Sequence, residues 1–210
     1  MFNETRKFPH FTGILLKGIG NVEIIPSDEH KIIMGSNQDV LKNIKTEILN
    51  DILKISVADT LPVWLVSFPK LEMQVYIKDL RYLKVSGIGK LRTEHSLIAN
   101  EIYIENNGVG GIFLNITAEK TKTRLKGVGE IVLNGKTSLH DVEISGTGKI
   151  NAYNYEADEV KIYATGVGEC IVSAKNKLEY RAGGIGRIKY RGNPELNGTQ
   201  SGLGIVQKII

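Results

Sequence analysis

The stretch Leu139-H-D-V-E-I-S-G-T-G-K-I-N-Ala152 carries a Gly-x-Gly triplet between alternating apolar and polar residues, and this pattern recurs along most of the chain. It aligns without a gap with Leu80-R-Y-L-K-V-S-G-I-G-K-L-R-Thr93 and with Phe11-T-G-I-L-L-K-G-I-G-N-V-E-Ile24. From Gly87 onward, the first glycines of successive triplets are separated by 21, 19, 19, 20, 18 and 18 residues. A period of this length predicts a solenoid, in which each repeat contributes one coil. The eight triplets are Gly18-Ile19-Gly20, Gly87-Ile88-Gly89, Gly108-Val109-Gly110, Gly127-Val128-Gly129, Gly146-Thr147-Gly148, Gly166-Val167-Gly168, Gly184-Ile185-Gly186 and Gly202-Leu203-Gly204.

The residues that flank the triplets predict β-strands with one buried face. Apolar side chains alternate before the glycines, as in Val142 and Ile144, and a period of two is the period of a strand. Two residues after the second glycine comes a column that we expect to point inward: Val22, Leu91, Ile112, Ile131, Ile150, Cys170, Ile188 and Val206. We expect the residue between the glycines to point inward as well, since it is apolar in seven triplets. The predicted fold is all-β: a single-stranded parallel β-helix (β-solenoid) with G-x-G coils of about 19 residues.

The period is broken near the N-terminus, where the next triplet begins 69 residues after Gly18. We predict a single domain over residues 1–210, with a first coil at 1–24, an irregular antiparallel β segment or cap at 25–79 and regular coils at 80–210. Asn50-Asp51 predicts a hairpin turn, and residues 39–42 predict one helical turn. The apolar stretch 60–70 either caps the core or presents Trp64 and Phe68 to a partner.

Composition excludes several classes of protein. The net charge is +4, from 27 basic and 23 acidic residues spread along the chain, so we expect no nucleic-acid partner. Lys120, Lys122, Arg124 and Lys126 alternate with uncharged residues, which predicts the solvated face of a strand. No stretch of about 18 apolar residues predicts a transmembrane segment. The single Cys170 replaces an aliphatic residue in an inward column, so we interpret it as a core residue.

We predict no catalytic site, no cofactor and no metal. The glutamates Glu130 and Glu169 could serve acid–base chemistry, but they alternate with Lys149 and Arg187 in successive repeats, which predicts ion pairs between coils. The four histidines show no metal-ligand spacing, and we expect His140 to be solvated at a turn. The sequence therefore predicts a protein that is not an enzyme.

The opening segment Phe11–Ile24 and the later blocks V-S-G-I-G, S-G-T-G-K-I and A-T-G-V-G resemble the family named putative auto-transporter adhesin, head GIN domain. The resemblance extends roughly from Phe8 to the C-terminus. It implies a bacterial envelope or secreted protein built as a β-solenoid, in a family whose domain has no known function and which offers no catalytic residues to carry over. It implies a periplasmic, outer-membrane-associated or extracellular location, although the signal sequence that such proteins usually carry is not visible in this sequence.

Three functional hypotheses follow. The first is a non-enzymatic structural or binding module of the cell envelope, adhesin-like, that contacts a glycan or an envelope protein. Its candidate contact residues are aromatic: Trp64, Phe68, Tyr103, Tyr153, Tyr155 and Tyr163. The second is a bactofilin-like polymer, a homo-oligomer assembled through the ends or faces of the solenoid. The third, a polysaccharide-active β-helix enzyme, is the weakest because the seven aspartates are scattered along the chain and share no column.

Overall fold

The Gly-x-Gly triplets lie at one corner of a β-solenoid of about seven turns, which confirms the predicted fold. The structure is a computed structural model that describes residues 2–57 and 71–210. The N-terminal elements are β1 (Phe2–Lys7), β2 (Gly13–Leu16), β3 (Ile19–Pro26), β4 (Lys31–Ser36), α1 (Gln38–Lys42), β5 (Ile44–Leu49), β6 (Ile52–Val57), β7 (Glu72–Ile77) and β8 (Tyr82–Val85). The remaining strands are β9 (Ile88–Asn106), β10 (Val109–Leu125), β11 (Val128–Ile144), β12 (Thr147–Ala164), β13 (Val167–Ala182), β14 (Ile185–Arg191), β15 (Glu195–Gln200) and β16 (Ile205–Lys208).

Successive coils pair in parallel, so that equivalent residues of the repeat stack on one another. Strands β9 to β13 each run through most of a coil, and β10 pairs with β9 on one side and with β11 on the other. At the corner the backbones approach closely: a Cβ on Gly129 would lie 1.8 Å from the carbonyl oxygen of Gly110. Gly129 also has φ +152°, a conformation that side-chain-bearing residues rarely adopt. Glycine is therefore required at this position by both space and backbone geometry.

The N-terminal segment is stacked out of sequence order. Strand β3 lies between β7 and β9, and β2 lies between β6 and β8, all in parallel. The coil formed by β2 and β3 is thus enclosed by later parts of the chain, and Gly20 stacks directly on Gly89. Beyond β7 the pairing becomes antiparallel, through β4 to β1, and β5 pairs antiparallel with β6. This confirms the antiparallel N-terminal segment and adds a coil, β6 with β7, that the sequence did not predict.

Two local predictions in this segment are confirmed. Asn50 and Asp51 join β5 to β6 with φ values of 52° and 61°, the left-handed pair that a tight hairpin turn needs. Helix α1 is a single turn whose N-cap, Asn37, accepts a hydrogen bond from the Val40 amide at 2.8 Å.

The inward column after the glycines forms the core, as predicted. Val22, Leu91, Ile112, Ile131, Ile150, Cys170 and Ile188 are all buried, and Val206 packs against them. Burial raises the pKa of the Cys170 thiol to about 12, so this cysteine behaves as a small apolar core residue. Along the basic run, Lys120, Lys122 and Lys126 are exposed and Arg124 is half-buried, whereas Thr121, Thr123 and Leu125 are buried, which confirms the solvated strand face.

The prediction that the residue between the glycines points inward is wrong. Ile88, Val109, Val128, Val167 and Ile185 are each 51–59% exposed. Leu125 and Ile131 are buried on either side of one triplet, so strict alternation puts the two glycines on the inward positions and Val128 on an outward one. The apolar character of this column therefore describes a surface and not the core.

His140 is also placed differently from the prediction, because it lies inside the core and not in solvent. Its Nε2 is 2.9 Å from the Thr123 hydroxyl, and its ring packs edge-on against Tyr155 with centroids 5.3 Å apart. The Tyr155 hydroxyl is 2.7 Å from that of Thr121, which is 3.4 Å from the hydroxyl of Thr137. These five side chains form a buried polar cluster, and burial lowers the pKa of His140 to about 3.

Candidate functional site

The structure does not bring the four predicted tyrosines together. Trp64 and Phe68 lie outside the described residues. Tyr103 is half-buried, its ring is stacked on that of Tyr82 at 5.5 Å, and its hydroxyl donates to the Glu105 carboxylate. Burial, and then the contact with Glu105, raises the pKa of Tyr103.

The other three tyrosines lie on different parts of the solenoid. Tyr163 is half-exposed on the same face as Tyr103, three coils further along. Tyr155 is fully buried, so its prediction as a surface contact is wrong: it pairs with Gly135, and its ring lies in the core against His140. Tyr153 is half-buried, and the Arg191 guanidinium lies 5.1 Å from its ring centroid.

A groove of about 790 Å³ runs along the solenoid axis, on the side where Arg191 lies. This volume falls within the range of small-molecule and cofactor sites. Its floor is a column of small residues in consecutive coils: Ala99, Ala118, Thr137, Ala157 and Ala174. Six coils line the groove, which gives it a length of about 24 Å at ~4.8 Å per coil. Its dimensions suit an extended chain lying along the axis.

The walls of the groove carry balanced charge. Three of its charged side chains are basic and three are acidic: Lys136, Lys175, Arg191, Glu119, Glu156 and Asp158. Lys175 and Asp158 lie 3.9 Å apart across neighbouring coils, and hydroxyls of Thr117 and Ser138 line the space between the charges. The groove thus offers polar side chains in five of its six coils, donors as well as acceptors, without a net attraction for either sign of charge.

Variation in coil length is concentrated beside the groove. Coil pairing is interrupted between Phe113 and Asn115, between Val132 and Asn134, and again between Ala152 and Glu156. Tyr153 lies in one of these interruptions. In repeat proteins such insertions occupy one face, which is often the binding face. Sequence analysis missed this site because its signal, a recurring Ala or Thr, is visible only once the repeat is aligned beyond the glycines.

One of the predicted ion pairs between coils, that of Lys149 with Glu169, is present. The register places Glu130, Lys149, Glu169 and Arg187 in one column. The Glu169 carboxylate is 3.3 Å from Lys149 Nζ and 2.6 Å from Lys189 Nζ. The Lys189 contact, together with Lys149, holds the pKa of Glu169 below its usual value. A carboxylate held ionised in this way suits a structural ion pair better than proton transfer.

Two features are absent from residues 2–57 and 71–210. No group of three or more His, Cys, Asp or Glu side chains there is arranged to hold a metal ion. Among the same residues, no helix is long and apolar enough to cross a membrane.

The chain was compared with known families and structures. A family model described as putative auto-transporter adhesin, head GIN domain, matches residues 10–194. A structure named a putative adhesin, from Bacteroides fragilis, superposes with a TM-score of 0.94 at 23% identity, covering 99% of this chain and 96% of that one. From Parabacteroides distasonis, one named a putative adhesin gives 0.75 at 18% identity, covering 99% and 96%. Another from that organism, named a putative lipid binding protein, gives 0.73 at 21% identity, covering 99% and 97%. At these sequence identities the structural similarity shows only that the chains share a fold. A comparison with curated proteins gives no match.

Proposed function

Because the chain belongs to the head GIN domain family of auto-transporter adhesins, we propose that it is a non-enzymatic, adhesin-like binding module of the cell envelope or the extracellular space. We propose further that its groove holds a neutral glycan chain. The groove itself carries this proposal, since it combines a floor of small, buried residues with polar walls in five of its six coils.

The equal numbers of basic and acidic side chains in the groove favour a neutral ligand over an anionic one. A groove for an anionic polymer would carry an excess of Lys and Arg, whereas here three basic side chains face three acidic ones. A chain of neutral sugars presents hydroxyl groups that both donate and accept hydrogen bonds, and ammonium and carboxylate groups can bind them in turn. Tyr153, whose ring lies beside Arg191 of the groove where coil pairing is interrupted, supplies an aromatic ring close to this site.

The repetition of the solenoid supports an extended ligand. Equivalent positions recur once per coil, so a polymer that follows the axis meets a donor or acceptor at regular intervals. The floor residues Ala118, Thr137 and Ala157 are almost fully buried, which lets the ligand approach the backbone closely. A rigid, preformed groove also limits the conformational entropy lost on binding.

The alternative of a bactofilin-like polymer is not part of this proposal. End-to-end stacking of parallel coils needs two matching parallel edges. At the N-terminal end the edge strands are β1 and β5, which pair antiparallel with their neighbours. Arg6 on β1 donates hydrogen bonds to the Ile44 carbonyl at 2.8 Å and to the Thr46 hydroxyl at 2.9 Å, so this end is tied together by a charged side chain.

Titration calorimetry with dextran and laminarin oligosaccharides, and with heparin as an anionic comparison, tests the proposal. We expect a neutral oligosaccharide to bind and heparin not to bind. The variant Ser138→Trp places an indole in the middle of the groove at an exposed position and should weaken binding at least about tenfold, equivalent to ~1.4 kcal/mol. The matched control Lys122→Trp lies at an exposed position outside the groove lining and should bind normally. Preference for heparin, or normal binding by Ser138→Trp, would contradict the proposal, as would failure of both neutral probes.

A further inference from the structure

The outward side of the glycine corner forms a second surface, separate from the groove, which we call the glycine face. It consists of two neighbouring columns. The first is the residue between the glycines, from coil to coil Ile88, Val109, Val128, Thr147, Val167, Ile185 and Leu203. The second lies two residues further along each strand: Lys90, Gly111, Glu130, Lys149, Glu169, Arg187 and Ile205.

The first column is an aliphatic surface without a partner in the described chain. Val128 is 55% exposed and Leu203 is 76% exposed, and the column is one side chain wide and seven coils long. Isolated exposed aliphatic residues are common, but a contiguous row of them marks an interaction surface. Thr147, in the middle of the row, is its one polar member.

The second column identifies the partner by its pattern of charge. Glu130, Lys149, Glu169 and Arg187 follow one another in consecutive coils, so the sign alternates and the four charges sum to zero. A surface that binds an anionic membrane would instead carry an excess of basic residues. A row of alternating charges can pair with a second row in which the order of the signs is reversed. A second copy of the same chain presents such a row when its solenoid axis runs antiparallel to that of the first.

We propose that two copies of this chain pack through their glycine faces, antiparallel, about a two-fold axis that lies between the coils of Thr147 and Val167. In this arrangement Lys149 faces the partner's Glu169, and Glu130 faces the partner's Arg187. The two-fold axis repeats each contact, which gives four opposite-charge pairs across the interface.

The charges admit this register and exclude the two registers in which the axis is shifted by half a coil. Moving the axis by half a coil towards the N-terminus places it at Lys149, so that Lys149 faces the partner's Lys149 and Glu130 faces the partner's Glu169. Moving it by half a coil towards the C-terminus makes Glu169 face the partner's Glu169, and Lys149 then faces the partner's Arg187. Both alternatives oppose like charges, which costs free energy at a desolvated contact.

The aliphatic column fits the same register. Val128 faces the partner's Ile185, and Val109 faces the partner's Leu203, so that the aliphatic side chains cover each other. Thr147 faces the partner's Val167 beside the axis. Gly111, which has no side chain, faces the partner's Ile205, which is 51% exposed and needs space. Apolar burial would supply the favourable free energy, and the charges would set the register.

Sedimentation velocity over a wide range of concentration, with purified full-length chain, tests the dimer. We expect the wild type to dimerise reversibly and Val128→Lys to remain a monomer. Ile98→Lys, a matched change at an 80% exposed aliphatic residue beside the groove, should dimerise like the wild type. Glu169→Lys should abolish the dimer, and the double variant Lys149→Glu/Glu169→Lys, which restores opposite charges across the axis, should recover it. Thermal melting of each variant verifies that it is folded.

Spin labels test the register independently. Cys170 is buried, so cysteines introduced on the glycine face can be labelled alone. Labels at Thr147→Cys should be close together in the dimer. Labels at Val109→Cys and Leu203→Cys should give equal distances, because both sites lie five coils from their partner copies, an axial separation of about 24 Å. A monomeric wild type, a dimer unaffected by Val128→Lys, or unequal distances for those two sites would overturn the proposal. Binding of the monomer to phosphatidylcholine vesicles through this face would overturn it as well.

Discussion

The glycine corner and the groove corner of the solenoid are built by different physical rules. At the glycine corner the pairing of successive coils is uninterrupted, from Ile19 against Ile88 to Gly168 against Gly186. Beside the groove the register shifts in three of the coil pairs. The coils differ in length, and this difference is absorbed on the groove side. The conformation of the glycine corner is therefore determined by the backbone, whereas that of the groove corner is determined by side chains.

The difference has consequences for what each corner can present. Because the glycines fix the backbone, the outward residues of the glycine corner form straight columns, which is the geometry needed for the proposed self-association. Because the groove corner tolerates bulges, it can place a side chain such as Tyr153 out of phase with its neighbours. Variation in sequence or coil length at the groove corner can therefore change a binding site without disturbing the stacking of the coils.

The largest effect is expected from adding one methyl group at the glycine corner. Gly129→Ala forces a Cβ to within 1.8 Å of the Gly110 carbonyl oxygen at a backbone φ of +152°. The clash and the strained conformation together should destabilise the fold by at least about 4 kcal/mol, or prevent folding. Urea denaturation, or recovery of soluble protein, measures the effect.

Gly183→Ala is the matched control, also adjoining the glycine corner. A Cβ on Gly183 would meet its nearest atom, the Ser201 hydroxyl, at 3.5 Å, which is ordinary contact. Its effect should stay within about 1 kcal/mol of the wild type. If both variants were equally stable, close backbone approach would not be what defines this corner.

The glycine corner was also the part of the fold that could be predicted from the sequence. A fixed period with a fixed pair of glycines reveals stacking, and the inward column with Cys170 follows from alternation. The apolar character of Val128 suggests burial and so gives the wrong direction for its side chain. The positions of Leu125 and Ile131 give the right one, because they fix which residues of the strand alternate inward. The coil formed by β6 and β7 was missed because its position outside β2 and β3 depends on pairing between distant segments.

A smaller effect is expected from protonation beneath the groove corner. Burial lowers the pKa of His140 to about 3, against a value near 6.5 for the unfolded chain. Between these values the unfolded state binds the proton more strongly, so the free energy of unfolding should fall as the pH is lowered from ~6.5 towards 3, by about 2 kcal/mol at pH 5. Above pH ~6.5 this contribution is constant.

Denaturant titrations at several pH values measure this dependence. His140→Gln should remove about one proton's worth of slope between pH 4 and 6, at ~1.4 kcal/mol per pH unit. Thr123→Val removes the hydrogen bond to the His140 Nε2 but leaves the imidazole in the core, so the slope should persist. An unchanged slope in His140→Gln would mean that this histidine is accessible to protons in the folded state.

The groove corner illustrates where the sequence is insufficient. Tyr153 and Tyr155 are two residues apart, so simple alternation predicts that both are outward. The interruption at Tyr153 leaves Tyr155 paired with Gly135 and buried. Bulges are set by packing between coils, and a single sequence does not show them. For the same reason the small residues of the groove floor were not recognised as a column.

The smallest effect should come from lengthening a coil on the groove side. Insertion of one glycine between Lys175 and Asn176, both exposed where the register against the preceding coil already shifts, should cost no more than about 1 kcal/mol. The same insertion between Glu169 and Cys170 would turn Cys170 outward, because one residue reverses every side chain of a strand up to the next irregularity. We therefore expect that second variant to lose its cooperative thermal transition while the first melts within a few degrees of the wild type. Equal melting temperatures would show that the glycine corner accommodates a register shift as readily as the groove does, and the contrast between the two corners would then lie in their surfaces and not in their construction.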